Sequence, residues 1–267
     1  MECTGLPKVL YKFSSSSSKS FIDRKIFFND PYEFNDPFDM KIRRKAELLP
    51  KEDLVLQNVY RLNKEILDQS FQTLWNIAEE DYEGKIARNP NHFKEMSLNA
   101  QIIERRLSKK RVLCLSEKND DILMWAHYGD SNKGLCIGYN TEKLCDFLCE
   151  NFSKYFSGIY KVQYSSLYPE IIPTIGHSFE NVLKRIIIKS LAWSYEKEWR
   201  LIIHNQTSIA IKIPNEIVEE IIFGSCMSED TEKKILAIQL KEYPHAKVFK
   251  VEPDDSEFKL NVKLYEV

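Results

Sequence analysis

The 267-residue sequence holds no apolar run near the ~18 residues that a helix needs to cross a bilayer. Its opening, MECTGLPKVLYKF, lacks the apolar core of a secretory signal. The two absences predict an intracellular, cytoplasmic protein with no membrane partner. No Cys-x-x-Cys pair occurs among Cys3, Cys114, Cys136, Cys145, Cys149 and Cys226. Some lie in apolar runs such as VLCLS and GLCIGY, so reduced and mostly buried thiols are expected. Neither sign of charge dominates: 38 basic against 40 acidic residues leave a net −2, which gives no global footprint for nucleic acid or an acidic membrane. Walker, G-x-G-x-x-G, G-x-S-x-G and H-E-x-x-H motifs are all missing. Gly129, Gly134 and Gly138 read as turn and strand-packing residues. No second ligand stands at a spacing that would complete a zinc site with His127, and no metal is expected.

With 43% hydrophobic and 12% aromatic residues, the chain has ample material for a core. Strand-like VLYKF and KIFFND flank a serine tract at 14–18, which reads as a loop or a helix start. NDPYEFNDPFD holds two Asn-Asp-Pro turns; each proline forces the preceding Asp into an extended conformation, and the loop should be rigid. From Pro50 to Leu107, apolar residues repeat at three and four, which predicts a helical insertion over about 45–110 within a single domain of 1–267. Beyond it, RVLCLS, GLCIGY, KVQYS, EWRLII, IAIKI, EEIIFG, KVFKV and NVKLYEV read as strands. DDILMWAHYG, TEKLCDFLCEN, 178–192 and a stretch from about Asp230 read as helices. Strands dominate the ends with hairpin-like spacing late in the chain, a pattern that favours an α+β fold over a doubly wound parallel sheet.

Chemistry concentrates in LAWSYEKEWRLII. In a strand, Glu196, Glu198 and Arg200 share one face, with Trp199 and Leu201 on the other. Paired carboxylates there can divide labour, one stabilising a developing cation and one orienting an acceptor. The plainer alternative is a solvated strand face on which Arg200 pairs a glutamate. Trp125, His127 and Tyr128 sit within one helical turn, where an aromatic platform could receive a planar ligand; a hydrogen-bonded structural histidine is the alternative. Ser116 and Glu117 stand at a strand end, and the FNDPFD turn offers Asn35, Asp36 and Asp39.

Taken in order, LYKF (10–13), FNDPFD (34–39), CLSE (114–117), ILMWAHYGDSNKGLCIGY (122–139), WSYEKEWRLI (193–202) and EIIFG (220–224) resemble the DUF2971 family of bacterial proteins, over about 10–225. That family is a domain of unknown function, so the resemblance speaks to kinship more than to activity. A second resemblance, to the ADP-ribosyltransferase fold, rests on Lys12 in LYKF, Asn29 in FFND and Glu198 in YEKE, which fall in the order of that fold's site residues. It implies a mixed, largely antiparallel sheet core and NAD as substrate. Glu198 would then hold the nicotinamide ribose and stabilise the oxocarbenium-like transition state, and Glu196 would orient the acceptor. Lys12 would contact ribose or phosphate, and Trp125 or Tyr128 would stack a ring. Asn29, Ser116, His127 and Arg200 complete the expected nucleotide-binding set. The acceptor would be a protein, a nucleic acid, or water in an NAD glycohydrolase, and such enzymes often serve as toxins or antiphage effectors. Two other readings stay open. One is a non-enzymatic module whose MWAHY and FNDPFD segments hold a nucleotide or a protein. The other is a metal-dependent nuclease using Glu196, Glu198 and Asp36 or Asp39.

Overall fold

The computed structural model describes residues 5–40, 55, 71–88, 106–169, 178–205 and 207–265. Its elements are β1 (Val9–Ser14), α1 (Lys19–Ile22), β2 (Lys25–Phe28), α2 (Phe71–Arg88), β3 (Lys110–Ser116), α3 (Ile122–Tyr128), β4 (Leu135–Asn140) and α4 (Thr141–Phe152). There follow β5 (Phe156–Lys161), β6 (Gln163–Ser165), α5 (Ser178–Ile187), β7 (Ile188–Ser190), β8 (Glu198–His204), β9 (Ile209–Lys212), β10 (Val218–Phe223), α6 (Glu229–Glu242), β11 (Lys247–Pro253) and β12 (Leu260–Leu264). The expected α+β class holds.

The described residues fall into two compact units. The first, 1–39 with 109–166 and 187–267, is built on an eight-stranded sheet in the order β12-β11-β10-β4-β1-β3-β8-β5. All its pairs are antiparallel except β10 with β11. Strand alternation sorts the side chains. Leu10, Leu113, Leu115, Ile137, Leu201, Ile203, Ile221 and Phe223 share one apolar core with Leu144 and Leu148 of α4 and Ile235 of α6. Phe13, Cys136, Ile222 and Val251 form a second cluster with Met124 and Trp125 of α3. The second unit, 40–108 with 167–186, includes helix α2, and Arg185 Nε donates to the Met40 carbonyl at 3.0 Å. The rest of the expected helical block at 45–110 lies largely outside the described residues.

Local chemistry sets most boundaries. Ser18, the last of the serine tract, caps α1 by accepting from Ser20 N at 3.2 Å. Asp30 caps the 3₁₀ turn Pro31–Glu33, and Asp36 accepts from Phe38 N at 2.8 Å, so both Asn-Asp-Pro segments make tight turns as expected. Asp121 caps α3 and Gly129 closes it. A left-handed turn follows: Asp130, Ser131 and Asn132 have φ of 53°, 52° and 66°. Asn132 N donates to the Trp125 carbonyl, Gly134 N to Gly129 and Cys226 N to Asn132. At Gly224 a Cβ would stand 2.2 Å from the Asn132 carbonyl oxygen, so only glycine lets the start of that loop approach the turn.

Four expectations are corrected. The late strands are not a chain of hairpins: β10 and β11 are parallel, joined through α6, and only β11–β12 is an antiparallel neighbour pair. The helix expected over 178–192 ends at Ile187, because Ile188–Ser190 pairs with β6 and Ser190 then caps a 3₁₀ turn over Leu191–Glu196. KVQYS is split, Lys161 closing β5 and Gln163 opening β6. Strand β5 itself gave no clear signal, since Gly158 at φ 126° sits in a bulge opposite β8. Of the free cysteines, Cys136 and Cys145 are buried but Cys149 and Cys226 are exposed; Cys3 lies outside the described residues. Among the described residues no helix is long and apolar enough to cross a membrane.

Candidate functional site

Strand β8 runs between β3 and β5, so both its edges are paired, and side chains on both its faces are buried from Glu198 to Ile203. Trp199, Leu201 and Ile203 enter the apolar core, and alternation turns Glu198 and Arg200 to the opposite face. Glu196 is not part of that strand. It ends the 3₁₀ turn, and Lys197, in the left-handed region at φ 45° and ψ 50°, separates it from Glu198. The three-residue strand face expected from the sequence is therefore two residues plus a turn. Nor is it a solvated face: Glu196 and Glu198 are each 4% exposed and Arg200 is fully buried.

A chain of charges runs through this region. Tyr128 Oη donates to Glu196 Oε1 at 2.8 Å, and Lys189 Nζ donates to Glu196 Oε2 at 2.5 Å and to Glu198 Oε2 at 3.2 Å. Arg200 clamps Glu198, Nε to Oε1 at 2.8 Å and Nη2 to Oε2 at 3.1 Å. The same guanidinium reaches Asp39, Nη1 to Oδ1 at 3.1 Å and Nη2 to Oδ2 at 2.6 Å, while its carbon stands 5.3 Å from the centre of the Phe34 ring. Three carboxylates thus face two cations away from water. Such a cluster is stable only when every member is partnered.

The two glutamates differ in proton affinity. Burial alone would raise the Glu198 carboxyl, but Arg200 and Lys189 outweigh it and hold Glu198 well below the usual carboxylate range. At Glu196, burial pushes the carboxyl up; Lys189 pulls it down, the neighbouring Glu198 charge adds to the rise, and the net shift is upward. Lys189 shows the reverse balance: burial lowers it, the two glutamates raise it further, and it stays an ammonium. Burial also raises the Tyr128 hydroxyl, which keeps its proton as a donor.

Glu196, Glu198 and Lys189 line a cleft of about 430 Å³ with Lys12, Asn29, Ser116, His127 and Tyr128. Strands β1 and β3 pair at one position, Tyr11 opposite Ser116, and beside it Lys12 Nζ donates to the Cys114 carbonyl at 3.1 Å. Cys114 also lines the cleft, with burial raising its thiol first and the Glu198 charge second. Ser116 Oγ donates to the Glu196 carbonyl at 2.7 Å and anchors the 3₁₀ turn. His127 is exposed at the cleft wall, its Nδ1 3.3 Å from Tyr195 Oη.

Residues 124–201 match the DUF2971 family model. The family is described as a protein of unknown function. No curated protein and no solved structure matches the chain, so the ADP-ribosyltransferase resemblance finds no support in these comparisons. The DUF2971 match is narrower than the 10–225 expected, but it takes in His127, Tyr128, Lys189, Glu196, Glu198 and Arg200. Lys12, Asn29 and Ser116 lie outside it.

Seven of the nine predicted site residues thus line one cleft, and two do not. Trp125 is fully buried, edge-on to Phe13 at 5.1 Å, with its Nε1 donating to the Asn119 carbonyl at 2.7 Å; its ring is core and cannot stack a ligand. Arg200 sits beneath Glu198 as its partner and leaves no surface for a nucleotide. Glu117, noted beside Ser116, is taken by Trp199 Nε1 and Lys161 Nζ, each at 2.6 Å. Sequence reasoning missed Lys189, Phe34 and Tyr164, whose hydroxyl accepts from Glu198 N at 2.8 Å. Lys189 had a signal: a lone cation inside the largely apolar run IIIKSLAW.

Proposed function

We propose that the cleft cleaves the N-glycosidic bond of a nicotinamide nucleotide, transferring ADP-ribose to an acceptor or to water. The observation that carries this reading is the Glu196–Lys189–Glu198 triad, in which one ammonium joins two carboxylates whose proton affinities are displaced in opposite directions. Such a division is what acid–base assignments are built from. As the bond between ribose C1′ and the ring nitrogen breaks, its electron pair leaves with neutral nicotinamide and positive charge develops on the sugar. Glu198, held as an anion, stabilises that charge. Glu196 takes the proton from the attacking hydroxyl or water, with Tyr128 fixing its orientation and Lys189 sharing its charge. Lys12 has donors left for the polar side of the ligand.

This reading accounts for the displaced carboxylates better than its rivals. In the nuclease reading a divalent cation would need the carboxylate oxygens that Lys189 and Arg200 already occupy. The binding-module reading keeps the cleft and differs only in turnover; the saturation of Glu198 by Arg200 and Lys189 speaks for it. Nicotinamide release from NAD⁺ separates the two. Wild-type protein should release nicotinamide, and Glu196→Gln, folded by circular dichroism, should lose about 10²–10⁴-fold of the rate, the usual contribution of a general base. If wild type releases no nicotinamide from NAD⁺ at millimolar concentration, the reading is overturned, whether or not calorimetry finds binding.

A further inference from the structure

We infer that the segment from Phe27 to Asn35 is the ring-recognition wall of this cleft, and that it selects a planar heteroaromatic ring carrying hydrogen-bonding groups on its edge. The inference deepens the reading above and rests on the same cleft being the ligand site. Five residues of this short segment line the cleft, Phe27, Asn29, Glu33, Phe34 and Asn35, and four of them are phenylalanines or asparagines. Two phenyl rings supply flat apolar area and two carboxamides supply paired donors and acceptors. A planar heteroaromatic ring uses both, whereas an alkyl chain would leave the second unpaired.

The segment is rigid without help from these side chains. Asn29 is held by its backbone, N donating to Val112 O at 3.0 Å and O accepting from Val112 N at 2.9 Å. Asp30 and Asp36 close the turns on either side of Phe34. The Asn29 carboxamide is exposed and lines the cleft, and among the described residues it meets no hydrogen-bond partner. Asn35 spends one donor on Tyr128 Oη at 3.2 Å, and its amide oxygen has no partner among the described residues. Phe34 is half-buried and rests against the Arg200 guanidinium, which fixes the ring's tilt from beneath. A platform already ordered loses little entropy when a ring settles on it.

The chemistry fits either ring of a dinucleotide, and simple fragments tell them apart. Nicotinamide, adenine and ribose 5-phosphate would each be titrated into the full chain, with affinity read by calorimetry or chemical-shift change. We expect one or both rings to bind. Phe34→Leu should weaken ring binding about tenfold while Phe34→Tyr preserves it, in line with the strength of ring stacking on aromatic side chains. Asn29→Ala, at an exposed side chain with no hydrogen-bond partner among the described residues, should weaken it by a few-fold, and ribose 5-phosphate should respond to neither change. Whichever ring binds identifies the source. Binding of ribose 5-phosphate without either ring would overturn the inference, as would ring affinities unchanged in both Phe34→Leu and Asn29→Ala. Fragment binding does not depend on turnover. Ring binding with the predicted variant pattern but no nicotinamide release from NAD⁺ would leave this inference standing and remove only the N-glycosidic reading.

Discussion

Two ion pairs on strands of the same sheet invite comparison. Glu198 and Arg200 meet at 2.8 Å on β8, and Glu252 and Lys263 meet at 2.7 Å across β11 and β12. The distances are nearly equal, yet the first pair has side chains 5% and 0% exposed and the second 48% and 63%. At the exposed pair, water and salt screen the attraction, and two long side chains lose freedom to hold it. At the buried pair the charges were stripped of water, so the attraction must first offset a large desolvation cost and each partner then depends on the other. Separation alone says little about what a salt bridge contributes; its surroundings decide.

That contrast can be broken at several points. Arg200→Leu should have the largest effect, about 3–5 kcal/mol of lost stability in urea unfolding, because the buried Asp39 would lose its guanidinium and Glu198 would keep only Lys189. Lys189→Met should follow at about 2–4 kcal/mol, since Glu196 and Glu198 would face each other with only Arg200 to help. A ranking of the exposed pair above either would reject the burial argument.

The pH dependence sharpens the comparison between the two glutamates. Glu198 is depressed in the folded protein, so the stability it contributes is present above the ordinary carboxylate value of 4.5 and is lost as pH falls below it. Glu196 is raised, so the folded state binds its proton more firmly than the unfolded chain does. Stability from that group therefore declines as pH rises from 4.5 through its folded value. Unfolding free energies of wild type and Glu196→Gln measured across mildly acid pH should diverge upward from 4.5, a slope that Glu198→Gln would not reproduce. At the small end, Glu252→Gln should leave the unfolding midpoint unchanged within error at any salt concentration.

The fold was legible wherever a local rule governs. Asp121, Ser18, Asp30 and Gly129 announced their turns and caps, and the apolar alternation of EWRLII announced a central strand. What escaped was set by distant partners. Nothing near Ile188 says that β6 will claim it as a strand, and although the helix from about Asp230 was legible, nothing said that the strand after it would lie parallel beside β10. The site was legible in composition but not in depth. YEKEWR showed two acids and a base; only the covering of β8 on both faces turned them from surface charges into a buried cluster. Trp125 read as a platform because its helix neighbours Tyr128 and His127 do reach the cleft, whereas its own ring points to Phe13. Asp39 showed its acid but not its partner, 161 residues further along the chain.

The left-handed turn at Asp130–Asn132 sets a limit on how this chain can change. It fastens the end of α3 to Gly134, just before β4, and to the loop at Gly224, so the helix carrying Tyr128 has no slack with which to absorb an added or missing residue. One residue more or fewer would misplace the Asn132 N–Trp125 O and Gly134 N–Gly129 O bonds that fasten the helix end, and with them the support of the Tyr128 contact to Glu196. Substitutions in DSN that tolerate a positive φ can be accepted there, whereas a change in the number of residues between Gly129 and Gly134 cannot.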